Sequence, residues 1–186
     1  SIMVSLKYTL SQKDYVNFYT FVLWDAPGNS KKRFIHYARQ LVPILLFLFA
    51  FYYTGIFERN SRFILLIIGV IILTTALSLF GVRTNIVKQG NKIADDPGNS
   101  SIFLETLLIA TETGVSLKDS VKEQKYSWQA FIKKQDNPEY YILFTSSMQG
   151  IIIPKRAFTM DEKVQFEKLL TQYLSFDAEL GHLVKS

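Results

Sequence analysis

The residues able to do chemistry in this chain are few and scattered. It has no cysteine. That removes disulfides, thiolate metal sites and a cysteine nucleophile together, and suits a reducing compartment. The two histidines, His36 and His182, stand far apart, and neither has a carboxylate or hydroxyl at a spacing that suggests a proton relay. No Gly-rich phosphate loop, H-E-x-x-H or G-x-S-x-G occurs. The acidic pairs Asp95-Asp96 and Asp161-Glu162 read as a turn and a helix start. The expectation is a protein that is not an enzyme and carries no cofactor and no metal. What remains is electrostatic. Lys155 and Arg156 follow the apolar run Ile151 to Ile153 and Pro154, which cannot donate to a ladder and so ends the strand. Phe158 is expected to turn back beneath the last helix. The basic pair is either an anion site, reaching a phospholipid headgroup of an acidic leaflet, or a strand-end turn that is solvated or bonded to a carboxylate. Trp128 offers a similar choice between core anchor, its first reading, and surface contact.

The distribution of charge says what positions these residues. Twenty-one Lys and Arg against 16 Asp and Glu give a net charge of +5. Nucleic-acid binding would cluster the basic residues with exposed aromatics. Here they flank two apolar runs instead: Lys31, Lys32, Arg33 and Arg39 before the first, and Arg83, Lys88 and Lys92 after the second. The first run, Phe34 to Phe57, is free of charge from Leu41 onward, and the second, Phe63 to Val82, throughout. Each approaches the roughly 20 residues that cross a bilayer as a helix. Two such helices in tandem would need a far larger protein to bury them as core, and the first lies too deep in the chain for a cleaved signal peptide. The loop Glu58 to Arg62 forces an antiparallel hairpin, and the Lys/Arg imbalance puts both termini in the cytoplasm. Tyr37, Tyr52 and Tyr53 suit interfacial anchoring, and Pro43 falls in the first turns of helix one. Thr74 and Ser78 share a face, either for helix contact or for bonding their own backbone. The absence of Asp, Glu, Lys, Arg and His from 41–57 and 63–82 disfavours a pore or pump.

On the soluble side, Met3 to Leu10 alternates like a half-buried strand. Ser11 to Asp14 reads as a capping box opening a helix to about Leu23; its stripe Tyr15, Phe18, Tyr19 and Val22 faces either the membrane surface or the later sheet, the sheet preferred because the helix is short and not rich in Lys or Arg. Asp25 to Ser30 is a turn. Arg83 to Ala94 prolongs helix two, and Asp95 to Ser100 breaks it; the string PGNS occurs in both turns. Strands are expected over 101–111, 115–126, 127–134, 140–146 and 150–158, joined by short hairpin turns. A final helix from Met160 to Phe176 presents Val164, Phe166, Leu169, Leu170 and Tyr173 inward. The fold class is thus a membrane α-helical hairpin plus an α+β soluble domain. Its antiparallel, pleckstrin-homology (PH)-like sheet carries one C-terminal helix, with the N-terminal strand and helix packing nearby. The divisions are 1–33, the hairpin at 34–82 (spans about 34–57 and 63–82), a connector at 83–100 and the PH-like domain at 101–186. Met3 reads as the natural start.

The opening Leu6-Lys7-Tyr8-Thr9-Leu10 with Asp14-Tyr15, the hairpin, Trp128 and Ile153-Pro154-Lys155-Arg156-Ala157-Phe158 together resemble the YcxB-like family of bacterial membrane proteins. The resemblance implies a two-span protein with a cytoplasmic PH-like C-terminal domain and supplies no activity. Abundant Ile, Lys, Asn, Phe and Tyr agree with an AT-rich bacterial genome, and the expected location is the bacterial inner or plasma membrane. Three functions are expected to compete. One is a binding or regulatory module that contacts a protein partner, a second copy or anionic lipid. The others are an immunity protein against a bacteriocin or toxin, and an accessory subunit of a membrane complex. No nucleic-acid partner is expected.

Overall fold

A computed structural model describes residues 2–55 and 61–174. Strand β1 (Met3–Tyr8) buries Val4, Leu6 and Tyr8 and exposes the residues between them. Helix α1 (Gln12–Thr20) follows a reciprocal capping box: Ser11 Oγ accepts the Asp14 amide, and the Asp14 carboxylate accepts the Ser11 amide. A wider π turn (Phe21–Asp25) and a tight turn (Pro27–Asn29) lead into α2 (Ser30–Tyr53), and α3 spans Ser61–Asp95. Both helices are long and apolar enough to cross a membrane. No residue of α2 is buried, and Leu45, Leu46, Phe49, Leu65 and Leu73 are 60–68% exposed. A helix of a soluble core would hide them. Helix α2 begins earlier than the expected Phe34, because Lys31 to Gln40 is helical and Arg33 donates to the Trp24 and Ala26 carbonyls. Pro43 therefore sits inside the helix, not in its first turns, and removes a hydrogen bond from mid-helix. The expected loop 58–62 lies largely outside the described residues, with α3 already under way at Ser61.

Helix α3 is about 52 Å long at ~1.5 Å per residue, against about 30 Å of hydrocarbon. Its last turns, from Arg83, therefore stand clear of the apolar segment and pair with α1. Gln12 Nε2 donates to Asn91 Oδ1 (3.1 Å) and Asp95 Oδ1 (3.0 Å) at one end. At the other, the Arg83 guanidinium forks onto Asp25 at 3.2 and 3.0 Å. Between them Tyr19 lies so close to Gly90 that a Cβ there would come within 3.1 Å of its ring. The result is an antiparallel two-helix stalk. Each PGNS segment closes one of its helices: Asn29 Nδ2 donates to the Val22 carbonyl and Asn99 Nδ2 to the Ile93 carbonyl.

Among the described residues seven strands form two antiparallel sheets, β1-β2-β3-β4 and β5-β6-β7. They are β2 (Thr106–Thr111), β3 (Gly114–Lys118), β4 (Glu123–Ser127), β5 (Lys133–Asp136), β6 (Tyr140–Phe144) and β7 (Gly150–Pro154). Several expectations change. Residues 97–103 form a 3-10 turn, so β2 starts later than Ser101. The expected strand 115–126 folds on itself as β3 and β4, because Asp119 accepts the Val121 and Lys122 amides and closes a turn. Residues 128–130 are another 3-10 turn rather than strand. Above all, β1 does not merely pack near a domain at 101–186. It is the edge strand of the first sheet, paired with β2 from Met3↔Thr111 to Tyr8↔Thr106. The hairpin is thus inserted into the β1–β2 connection. Gly114 opens β3 with φ of 152°, where a Cβ would strike the Tyr126 carbonyl.

Helix α4 (Met160–Tyr173), capped by Thr159 and Glu162, closes one end of the sandwich. Its Phe166, Leu169 and Leu170 join Leu6, Leu108, Tyr141 and Ile153 in the main core. Val164, expected to face inward, is 51% exposed, because the buried stripe runs 166, 169, 170, 173 and passes it by. The expected end at Phe176 lies outside the described residues. The three-stranded sheet is covered on both faces. Tyr140, Ile142, Phe144 and Ile152 pack against Phe18, Phe21, Val22 and Ala26 of the stalk, which is why β6 reads as an unbroken apolar run.

Candidate functional site

Asp14 is the hub where the stalk meets the sandwich. Its carboxylate is 3% exposed and accepts from Arg156 Nη1 at 2.9 Å and Nη2 at 2.5 Å. It also accepts from Tyr140 Oη at 2.6 Å and from the Ser11 amide at 2.7 Å. Burial alone would raise its pKa, but the guanidinium, then the Tyr140 hydroxyl and the Ser11 groups, outweigh it and hold the carboxyl well below the usual range. Burial, and next the hydrogen bond to Asp14, push the Tyr140 hydroxyl up to about 12. Arg156 also reaches the Thr9 carbonyl at 3.3 Å. The arrangement ties the start of α1 to the end of β7 across 142 positions of sequence.

Lys155 is likewise engaged, with its ammonium on Asp136 and 4.6 Å from the centre of the Tyr141 ring. The depression around the basic pair, about 370 Å³, also contains Glu139 and Lys13, so both signs of charge line it. Trp128 is 3% exposed, stacks on Tyr173 and donates Nε1 to the Thr111 carbonyl. Among the flanking cations, Lys32, Arg33 and Arg83 are bonded to Leu23, Trp24, Ala26 and Asp25, whereas Lys31, Arg39 and Lys88 are exposed. Among the described residues no group of His, Asp and Glu is arranged to hold a metal. One amine is set apart. Lys133 is 1% exposed, its Nζ has no hydrogen-bond partner, and burial pulls its pKa down to about 8. It pairs with Phe144, hence on the sheet face that meets the stalk.

A second opening, at the end of the first sheet, lies elsewhere. The pairings Tyr8↔Thr106, Leu107↔Lys118 and Lys118↔Glu123 put the β3–β4 turn at the end of the sheet where the chain leaves for the hairpin. There a mouth of about 310 Å³ opens between the β3–β4 turn, the β6–β7 turn and α1. Tyr8, Leu117 and Ile151 form its floor and Tyr15 and Phe18 its stalk wall, while Gln124, Gln149, Asp119 and Lys122 rim it. The lining is amphipathic and close to neutral. Tyr15 and Phe18 belong to the stripe expected to face a sheet, but the mouth itself is assembled from five separate segments, so no local spacing announces it.

Residues 110–170 match the family model described as YcxB-like protein. The matched stretch runs from the end of β2 into α4 and includes Trp128, Lys155 and Arg156, but no residue of the hairpin. No curated protein and no solved structure matches the chain.

Proposed function

We propose that this protein is a membrane-anchored, non-enzymatic binding module. In this reading α2 and α3 span the cell membrane with both termini cytoplasmic, and the sandwich is a PH-like domain: four strands, then three, closed by a C-terminal helix. The observation that carries the reading is the insertion of the hairpin between β1 and β2. In this reading it ties the domain to the bilayer through two chain crossings and the stalk, with the open mouth beside the stalk at the sheet end where the chain leaves for the hairpin. Mouths of β-structures are common ligand sites. This one is apolar inside with neutral amides at its rim, which suits a segment of a protein partner better than a bare anionic headgroup. The basic pair, bonded to Asp14 and Asp136, supports the same preference.

The test is a photo-cross-linking amino acid at Gln124 or Gln149 in cells, with exposed Lys168 on α4 as the control position. The reading predicts one discrete protein adduct from the two mouth positions and none from Lys168. It also predicts that Gln149→Trp, filling the mouth, abolishes the Gln124 adduct. Adducts of equal yield at Lys168, or lipid adducts alone, contradict it.

A further inference from the structure

The two apolar helices touch sparsely, and between them runs a groove of about 820 Å³. Its lining changes along its length. Phe47, Phe63, Leu66 and Val70 form the end near the loop, while Gln40, Thr75 and Ser78 form the end near the basic flank. The hydroxyls differ in an informative way. Thr74 and Thr75 donate to carbonyls of their own helix at 2.8–3.0 Å, as hydroxyls in apolar helices do. Ser78 Oγ is buried and has no partner, a state that is costly in hydrocarbon. The stripe then continues out of the apolar segment. Thr74, Ser78, Asn85 and Lys88 recur at i, i+4, i+11 and i+14, one face of α3. Asn85 and Lys88 are exposed there, while α1 covers the side of α3 that carries Gly90. On α2, Arg39, also exposed, adjoins Gln40.

We infer that this groove holds one anionic phospholipid of the leaflet on the basic side. The acyl chain lies along Phe47, Leu66 and Val70. An ester carbonyl accepts from Ser78 Oγ, and the phosphate meets Lys88 and Arg39. The order apolar, hydroxyl, amide, ammonium along one stripe is the order of groups along such a lipid. Lys88 suits the phosphate because helical side chains lean toward the N-terminus, which brings its ammonium back toward Ser78. The inference rests on the membrane-spanning reading above and gives the hairpin a ligand of its own, separate from the mouth.

Native mass spectrometry of the full-length protein, released from nanodiscs of equal phosphatidylglycerol and phosphatidylcholine, tests it. The wild type should retain one phosphatidylglycerol per chain. Lys88→Glu, an exposed change, should cut that retention at least five-fold relative to phosphatidylcholine, and Val70→Trp should displace both lipids. Equal retention of the two lipids by the wild type, unchanged retention in Lys88→Glu, or a lipid-free dimer overturns the inference while leaving the membrane reading intact. A chain that stays in aqueous solution and does not enter nanodiscs overturns both. Thermal unfolding of each variant shows that the protein is folded; if Val70→Trp unfolds, Lys88→Glu still decides.

Discussion

At the scale of single residues, the informative group is a carboxylate. Asp14 gives its first turn a capping box and simultaneously receives Arg156 from the far end of the chain. The first role is visible in the spacing Ser11 to Asp14. The second is not, because the partner lies 142 positions away and a basic pair after a strand looks the same whether free or bonded. Arg156→Ala leaves a buried carboxylate partly unpaired. Fully buried pairs cost about 3–5 kcal/mol when broken; with the guanidinium side chain 55% exposed, screening lowers the expectation to about 2 kcal/mol, read by urea unfolding in detergent. The sign with pH follows from the depressed Asp14 pKa. The stabilisation is present above the ordinary carboxylate value of about 4 and is lost as pH falls below it toward the native value. Arg156→Ala should therefore flatten the acid limb of the stability profile; an unchanged limb would show that Asp14 does not carry it. Lys133 works in the opposite direction. Its pKa falls from 10.5 to about 8 on folding, so the unfolded chain binds more protons between those values and stability rises with pH across them. Lys133→Met should remove that slope and raise stability at neutral pH by roughly 1–3 kcal/mol. Destabilisation would mean that the amine has a partner.

At the scale of elements, the amphipathic patterns are legible wherever one face meets solvent. Strand β1, the α1 cap and the α4 stripe all follow from periodicity and capping residues. The misjudged elements are those where a side chain overrides the pattern. Asp119 folds one expected strand into two, and the Arg33 bonds to Trp24 and Ala26 let α2 begin before its apolar run. The stalk depends on a feature no periodicity displays, the close approach of Tyr19 to Gly90. Gly90→Leu should overpack that contact and cost about 1–3 kcal/mol. Gly90→Ala should be nearly neutral, because a gain of about 1 kcal/mol in helix propensity offsets a contact that a small ring movement relieves. Thermal unfolding of the two variants checks this: an equal loss for both would indicate that backbone conformation, not packing, fixes the glycine.

At the scale of the whole molecule, the arrangement is a sandwich interrupted by a hairpin. The apolar runs and their basic flanks make the hairpin legible in the sequence. The continuity of β1 with the sheet does not show there, because about a hundred residues separate strands paired in register and strand pairing over such a distance leaves no local trace. That continuity gives the domain its fixed attachment and places its mouth at the hairpin end. The most direct test uses the absence of native cysteine. Single cysteines at Thr54, beside the hairpin loop, and at Val121, on the exposed β3–β4 turn, are treated with a membrane-impermeant maleimide in whole cells. The account predicts labelling of Thr54→Cys in intact cells and of Val121→Cys only after the membrane is opened. Labelling of Val121→Cys in intact cells, or protection of both positions with the protein released by alkaline washing, would contradict it.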